Sequence, residues 1–175
     1  ARCRKPSDAK APLKVALAQI NPTVGDLAGN EAKIRAAYQR GVEAGAEMVR
    51  CPELSITGYP PRDLLLQKSF VARNLETLDR LAASTGKVGL MLGYVGKNES
   101  LPGRELTNSV ALLQNGKIIA TRVKTLLPTY DVFDEDRYFE PAGENLPADF
   151  NSAKAGLKIC EDIWNDEDFW SLRRY

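Results

Sequence analysis

An apolar run, a helical stretch and a second apolar run follow one another between residues 13 and 53, and this alternation restricts the fold more than any other feature. "LKVALAQI" (13–20) is strand-compatible, and "NPTVGD" (21–26) is turn chemistry. "NEAKIRAAYQRGVEA" (30–44) places Ile34, Ala37, Tyr38 and Val42 on one helical face, with Asn30 positioned as its N-cap. "AEMVRCPE" (46–53) reads as a second strand, stopped by Pro52. A strand, a helix and a strand in succession form a right-handed crossover and pair in parallel. The expectation is a mixed α/β domain with helices packed on a sheet.

The rest of the chain continues the theme. "SITGYPPRD" (55–63) is a loop, and "LLLQKSFVARNLETLDRLAAS" (64–84) is helical with a break near Lys68 and Ser69. "KVGLMLGYVG" (87–96) is a third strand, followed by an exposed loop over 97–106. Two β-rich runs in "TNSVALLQNGKIIATRVK" (107–124) flank Asn115-Gly116, the preferred pair for a type I′ hairpin turn. A long loop rich in aromatics and carboxylates spans 125–147. Loops of that length in a compact domain usually carry function. "AGLKIC" (155–160) reads as a further strand and "DEDFWSLRRY" (166–175) as the start of a helix.

Charge and composition exclude several classes. With 24 basic and 23 acidic residues, the net charge of +1 does not resemble the strongly basic balance of a nucleic-acid binder. No apolar stretch approaches a membrane span. Residues 1–12 are basic and apolar-poor, so they read as a disordered leader or cloning remnant rather than a secretory signal. The three cysteines, Cys3, Cys51 and Cys160, form no CxxC pair, and an odd count favours a reducing, cytoplasmic compartment. There is no histidine. Cys-His and Ser-His nucleophiles and His-ligated metals are therefore excluded within this chain, and proton transfer falls to Glu, Asp, Lys, Tyr or Cys.

Three polar residues stand at or beside predicted strand ends: Glu53, Lys124 and Cys160. Strand ends are rigid mounts for reactive groups. Cys160 is followed at once by Glu161 and Asp162, whose charges disfavour a thiolate. If the three residues converge, Lys124 supplies the missing positive charge, Glu53 takes the thiol proton, and Cys160 is a low-pKa nucleophile that iodoacetamide labels ahead of the other two cysteines. Each also has a plainer reading: Cys160 as a small buried hydrophobe, Glu53 as a turn cap, Lys124 as a solvated edge charge. Cys51 lies on the side of its strand shared with Val49 and Glu53, and packing is its expected role.

"PELSITGYPPRDLL" (52–65), "KTLLPTYDVFDEDRYFEP" (124–141) and "LKICEDIW" (157–164), in this order, resemble the nitrilase superfamily of carbon-nitrogen hydrolases. The loop motif and "ALAQINPTVGDLAGN" (16–30) are similar, more narrowly, to the N-terminal glutamine amidase domains of glutamine-dependent NAD synthetases. The resemblance runs from about Leu13 to Tyr175. It implies a nitrilase-type αββα sandwich over 13–175, incomplete at its C-terminus because the chain ends soon after the nucleophile. It implies Cys160 as nucleophile, Glu53 as general base, Lys124 as oxyanion stabiliser and Glu135 as a second carboxylate orienting Lys124. Tyr130, Glu161 and Tyr59 match substrate contacts, with aromatic packing against Phe133, Tyr138 and Phe139 as the alternative for Tyr130. The implied substrate is L-glutamine, and the implied partner is an ATP- and Mg-dependent synthetase domain elsewhere in the parent protein. No cofactor is implied in this segment, and the intact family assembles as homo-oligomers. Neither an SGGxDS signature nor a P-loop occurs here. Two alternatives remain open: a stand-alone amidase for another small amide, and a non-catalytic remnant. Arg50 and Cys51 depart from the apolar residues usual at their positions, and Arg50 is expected either to pair with an acid or to reach an exposed edge.

Overall fold

The computed structural model describes residues 12–99 and 102–164. Strand β1 (Val15–Leu17), helix α1 (Leu27–Glu43) and strand β2 (Met48–Arg50) form the expected crossover, and β1 and β2 pair in parallel. Helix α2 (Lys68–Ala83) leads to β3 (Gly89–Lys97), parallel to β2. Strands β4 (Leu106–Gln114) and β5 (Lys117–Val123) complete a five-stranded sheet in the order β1-β2-β3-β4-β5, the last two pairings antiparallel. Asn115 and Gly116 both have positive φ, 53° and 77°, which is what a type I′ turn demands.

Alternation along the strands divides the sheet's two faces. Val49, Cys51, Leu90, Leu92, Ala111 and Leu113 join Ile34 of α1 and Leu78 and Leu81 of α2 in one apolar core. Each Val, Leu or Ile among them, once buried, stabilises the fold by roughly 1.5–3 kcal/mol. Met48, Met91, Val110 and Leu112 point the other way. They are met by Ala148 and Phe150 of a small hairpin, β6 (Ala148–Phe150) and β7 (Ala153–Ala155), and by Leu157 and Ile159. The layers are thus helices, main sheet, and a second β element on the far face.

Several expectations require correction. Asn30 is not the N-cap of α1: Asp26 is, and its carboxylate accepts from the Gly29 N–H at 2.9 Å. Asn30 lies inside the helix, wholly buried, with its amide bonded to Thr23 and to the Ile56 carbonyl. It ties the first turn to the loop after β2, a job that its spacing in the sequence does not distinguish from capping. The second helical stretch breaks at Gln67, between a 3-10 turn (Arg62–Leu66) and α2, one residue before the expected interruption. The strand expected over 155–160 is absent. Leu157 and Ile159 do alternate into the second core, but β7 ends at Ala155 and Cys160 opens a 3-10 turn (Cys160–Trp164). The β6–β7 hairpin was not anticipated, because two three-residue strands of Ala, Asp, Lys and Phe carry no β-rich run. The helix expected over 166–175 lies outside the described residues, as do residues 1–11 of the expected leader. Arg50 is exposed, and its guanidinium donates at 3.5 Å to the Lys158 carbonyl. Cys51 is buried in the helix-side core, and burial pushes its thiol up to about 12.

Candidate active site

Glu53 stands three residues past the end of β2, and the chain turns sharply beside it, with Leu54 at φ +44°. The turn rests directly on β3. A Cβ on Gly93 would come within 2.2 Å of the Leu54 nitrogen, so this strand position has to lack a side chain. Lys124 is the first residue after β5. Its N–H donates to the Asn108 carbonyl at 2.8 Å, and its own carbonyl accepts from Ala142 at 3.0 Å. Glu135 opens a short 3-10 turn within the long loop and is held by its N–H to Pro128 at 3.0 Å.

These anchors bring three charges together. The Lys124 ammonium lies 2.7 Å from Glu53 Oε1 and 2.8 Å from Glu135 Oε1. Its side chain is 0% exposed, which removes the solvated-edge reading. The Tyr59 hydroxyl donates to Glu135 Oε1 at 2.7 Å. The Asn108 amide, from β4, donates to Glu53 Oε1 at 2.6 Å and to Glu135 Oε2 at 3.2 Å. Burial works against the charge on Lys124, but Glu53 and Glu135 outweigh it and hold the ammonium above its usual range. Burial raises Glu135 above the ordinary carboxylate range; Lys124 opposes the rise and Glu53 adds to it. The first direction follows from two carboxylates facing one cation, the second from burial reinforced by a like charge. Burial and the bond to Glu135 keep the Tyr59 phenol protonated.

Cys160 is solvent-reached and has φ +44°, outside the range most side chains favour. Its turn is held by Asp162. One carboxylate oxygen accepts from Thr125 N–H at 2.9 Å, Thr125 hydroxyl at 2.7 Å and Leu126 N–H at 3.0 Å. The other accepts from Ile159 N–H at 3.2 Å. Asp162 therefore fastens the cysteine turn to the two residues that follow Lys124. The adjacent carboxylate that the sequence presents as a repulsive neighbour is a structural anchor, 2% exposed.

The thiol is not acidified. Burial raises its pKa first and the Glu53 carboxylate second; Lys124 pulls the other way, and a hydrogen bond to Glu53 and the charge of Glu135 add to the rise. The expectation of a low-pKa Cys160 fails because burial and the Glu53 carboxylate together outweigh the pull of Lys124. What the arrangement supplies is a proton acceptor beside a protonated thiol and a buried cation close by. A cavity of about 270 Å³ reaches Glu53 and Cys160, with Arg50, Met91, Val110 and Lys158 among its walls.

Tyr130 is half exposed; its hydroxyl donates to Glu161 at 3.0 Å and its ring packs edge-on to Phe133 at 5.2 Å. It thus makes the aromatic packing considered for it, against Phe133, while its hydroxyl is engaged by Glu161. Tyr59 is partly exposed, and its hydroxyl is bound to Glu135. Asn108 and the anchoring role of Asp162 escaped the sequence reading. The signal for Asn108 was available: "TNS" sets three polar residues directly before the apolar, buried run over 110–113 of the same strand. Among the described residues no group of three His, Cys, Asp or Glu could hold a metal ion, and no helix is long and apolar enough to cross a membrane.

Comparison with known proteins adds context. The carbon-nitrogen hydrolase family matches residues 14–174. A glutamine-dependent NAD(+) synthetase of Synechocystis sp. is 43% identical over 165 residues, which are 92% of this chain and 30% of that protein. The Thermotoga maritima enzyme of the same name is 39% identical over 155 residues, 87% of this chain and 26% of its own length. The chain thus spans less than a third of these relatives. Among solved structures, glutamine-dependent NAD+ synthetase from Acinetobacter baumannii, in complex with ADP, superposes with a TM-score of 0.79 at 33% identity, covering 87% of this chain and 28% of that one. A variant amidase from Nesterenkonia sp., with the acetamide moiety of fluoroacetamide added covalently at its active-site cysteine, has a TM-score of 0.70 at 25% identity over 86% of this chain and 56% of its own.

Proposed function

The chain belongs to the carbon-nitrogen hydrolase family, and from that membership we propose that it is the glutamine amidohydrolase segment of a glutamine-dependent NAD synthetase. The observation that carries the reading is Lys124, a buried ammonium clasped by Glu53 and Glu135 beside a solvent-reached thiol. The choice of glutamine is supported by the relatives' names.

In this mechanism Cys160 Sγ attacks the side-chain amide carbon, and the thiol proton passes to Glu53. The oxyanion forms near Lys124, whose buried charge stabilises it. Glu53 returns the proton to the amide nitrogen, the C–N bond breaks, and ammonia leaves a Cys160 thioester. Water then gives a proton to Glu53 and attacks the thioester carbon. Collapse of that intermediate breaks the C–S bond, returns the proton to sulfur and releases glutamate. Division into two steps lowers the barrier of a difficult amide hydrolysis. Glu135 holds Lys124 in place, and Tyr130, Glu161 and Tyr59 line the approach as substrate contacts. The ammonia serves a separate synthetase domain that amidates deamido-NAD with ATP and Mg, and the intact protein works as a cytoplasmic homo-oligomer.

A narrower reading, a stand-alone amidase for another small amide, draws on the covalent adduct in the Nesterenkonia amidase. Ammonia release from glutamine and from acetamide, by the full-length protein and its Cys160→Ala variant, separates the two. The expected result is release from glutamine that disappears in the variant. Release from acetamide alone would overturn glutamine as substrate, and release that survives the substitution would overturn Cys160 as nucleophile.

A further inference from the structure

We infer that Asn108 is a positioning residue for the reaction: its amide clamps Glu53 and Glu135 together around Lys124 and leaves one oxygen of Glu53 to serve the Cys160 thiol. The inference rests on the amidase reading above and extends it to a residue outside the implied catalytic set.

Asn108 is wholly buried in β4. One nitrogen, Nδ2, reaches both carboxylates, at 2.6 Å and 3.2 Å. Its main-chain carbonyl accepts the Lys124 N–H. A single residue thus holds the backbone of the cation and the side chains of both anions. The donor pattern is instructive. Glu53 Oε1 accepts from Lys124 and from Asn108, so both of the named donors lie on one oxygen and Oε2 is left for proton exchange. Glu135 accepts on Oε1 from Lys124 and Tyr59 and on Oε2 from Asn108.

The amide's orientation follows from charge. Turned over, its carbonyl oxygen would face two carboxylates. In the observed orientation Asn108 Oδ1 has no hydrogen-bond partner among the described residues. A buried acceptor left unpaired is unfavourable, so the donor contacts to the two acids must outweigh it. Residues with only apolar or acceptor atoms do not meet this requirement. The groups facing the carboxylates are Lys124, Tyr59, Cys160 and each other, and Asn108 is the neutral donor that touches both. Removal of a donor from a carboxylate destabilises its charged form. Without the amide, Glu53 loses one of the two donors on Oε1 that fix its carboxylate, and its hold on the Cys160 thiol slackens.

The test is kcat/KM for glutamine hydrolysis against pH in the full-length protein, its Asn108→Ala variant and its Asn108→Asp variant, with iodoacetamide alkylation of Cys160 followed over the same range. Asn108→Ala is expected to lower kcat/KM at neutral pH by about 10- to 100-fold, the scale of a hydrogen bond to a charged group. The acid limb should move to higher pH, as loss of a donor shared by the two carboxylates dictates. Asn108→Asp fills the same volume, adds a third acid and should move the limb further. A folded variant that loses activity with its acid limb unmoved overturns the inference and leaves Asn108 a packing residue. Should the alanine variant fail to fold, the aspartate variant decides on the same criterion. If the wild-type protein releases no ammonia from glutamine, the amidase reading fails by itself. The alkylation profiles then decide for Asn108: displaced profiles support the clamp, and coincident profiles overturn it.

Discussion

Lys124→Met removes the buried ammonium while nearly preserving side-chain volume, and its consequence can be worked out from the cluster. Glu135 is 2% exposed and Glu53 17%, and both lie within 2.8 Å of the lysine nitrogen. Deletion of one partner from a buried ion pair costs about 3–5 kcal/mol. The variant has one escape, protonation of Glu135. For a carboxyl with an ordinary value of 4.5, neutrality at pH 7 costs about 3.4 kcal/mol, falling by about 1.4 kcal/mol per pH unit to about 0.7 kcal/mol at pH 5. The sign follows from linkage. A Glu135 whose folded pKa is raised above its unfolded value binds more protons in the native state between the two values. Stability therefore falls as pH rises through that window and recovers as pH falls. Because Glu135 is already raised in the wild type, about 3 kcal/mol is the expected deficit at pH 7, most of it gone at pH 5. Urea unfolding of wild type and variant at pH 5, 6 and 7, followed by circular dichroism, measures this directly. A deficit below about 1 kcal/mol at pH 7, or one that does not shrink toward pH 5, would refute the buried-cluster energetics. The same variant should lose at least about a hundredfold in glutamine turnover through loss of oxyanion stabilisation.

Three further outcomes are expected. Gly93→Ala drives a methyl to 2.2 Å from the Leu54 nitrogen, so it should destabilise the fold by about 1–3 kcal/mol and depress kcat by displacing Glu53; wild-type turnover in a folded variant would show that the close approach is unimportant. Asp162→Ala unmakes four contacts to Thr125, Leu126 and Ile159, several of them on buried N–H groups that cost about 1–3 kcal/mol each when left unpaired; a melting temperature within 2 °C of wild type would contradict its anchoring role. Timed iodoacetamide labelling with peptide mapping should modify exposed Cys160 before buried Cys51, at a rate still climbing well above neutral pH because both thiols are raised; a plateau for Cys160 near pH 7 would mean a thiolate that the cluster should not permit.

Much of this protein could be read without coordinates, for local reasons. The 3.6-residue spacing put Ile34, Ala37 and Tyr38 on the buried face of α1, although Val42 of the same pattern is exposed and Gly41 is buried in its stead, and Asn115-Gly116 supplies two positive φ angles in adjacent residues. Period-two patterns placed Glu53 and Lys124 next to strands that do bring them together, and the lack of histidine narrowed the chemistry to acid, lysine and thiol. Other features depended on partners distant in the chain. Asn108 meets Glu53 across 55 residues and Asp162 meets Thr125 across 37; no local pattern encodes which polar groups face each other through a folded core. Cys160 lost its expected strand because alternation establishes which face a residue buries, not whether a neighbouring backbone is present to complete a ladder. The ionisation of its thiol was decided in the same way. Sequence neighbours suggested repulsion by Glu161 and Asp162, whereas the folded chain turns Asp162 aside as an anchor and lets Glu53, Lys124 and Glu135 set the charge around the sulfur. Which elements form followed from short-range pattern; which charges meet, and how many neutralise one another, was settled only when remote segments packed and water was excluded between them.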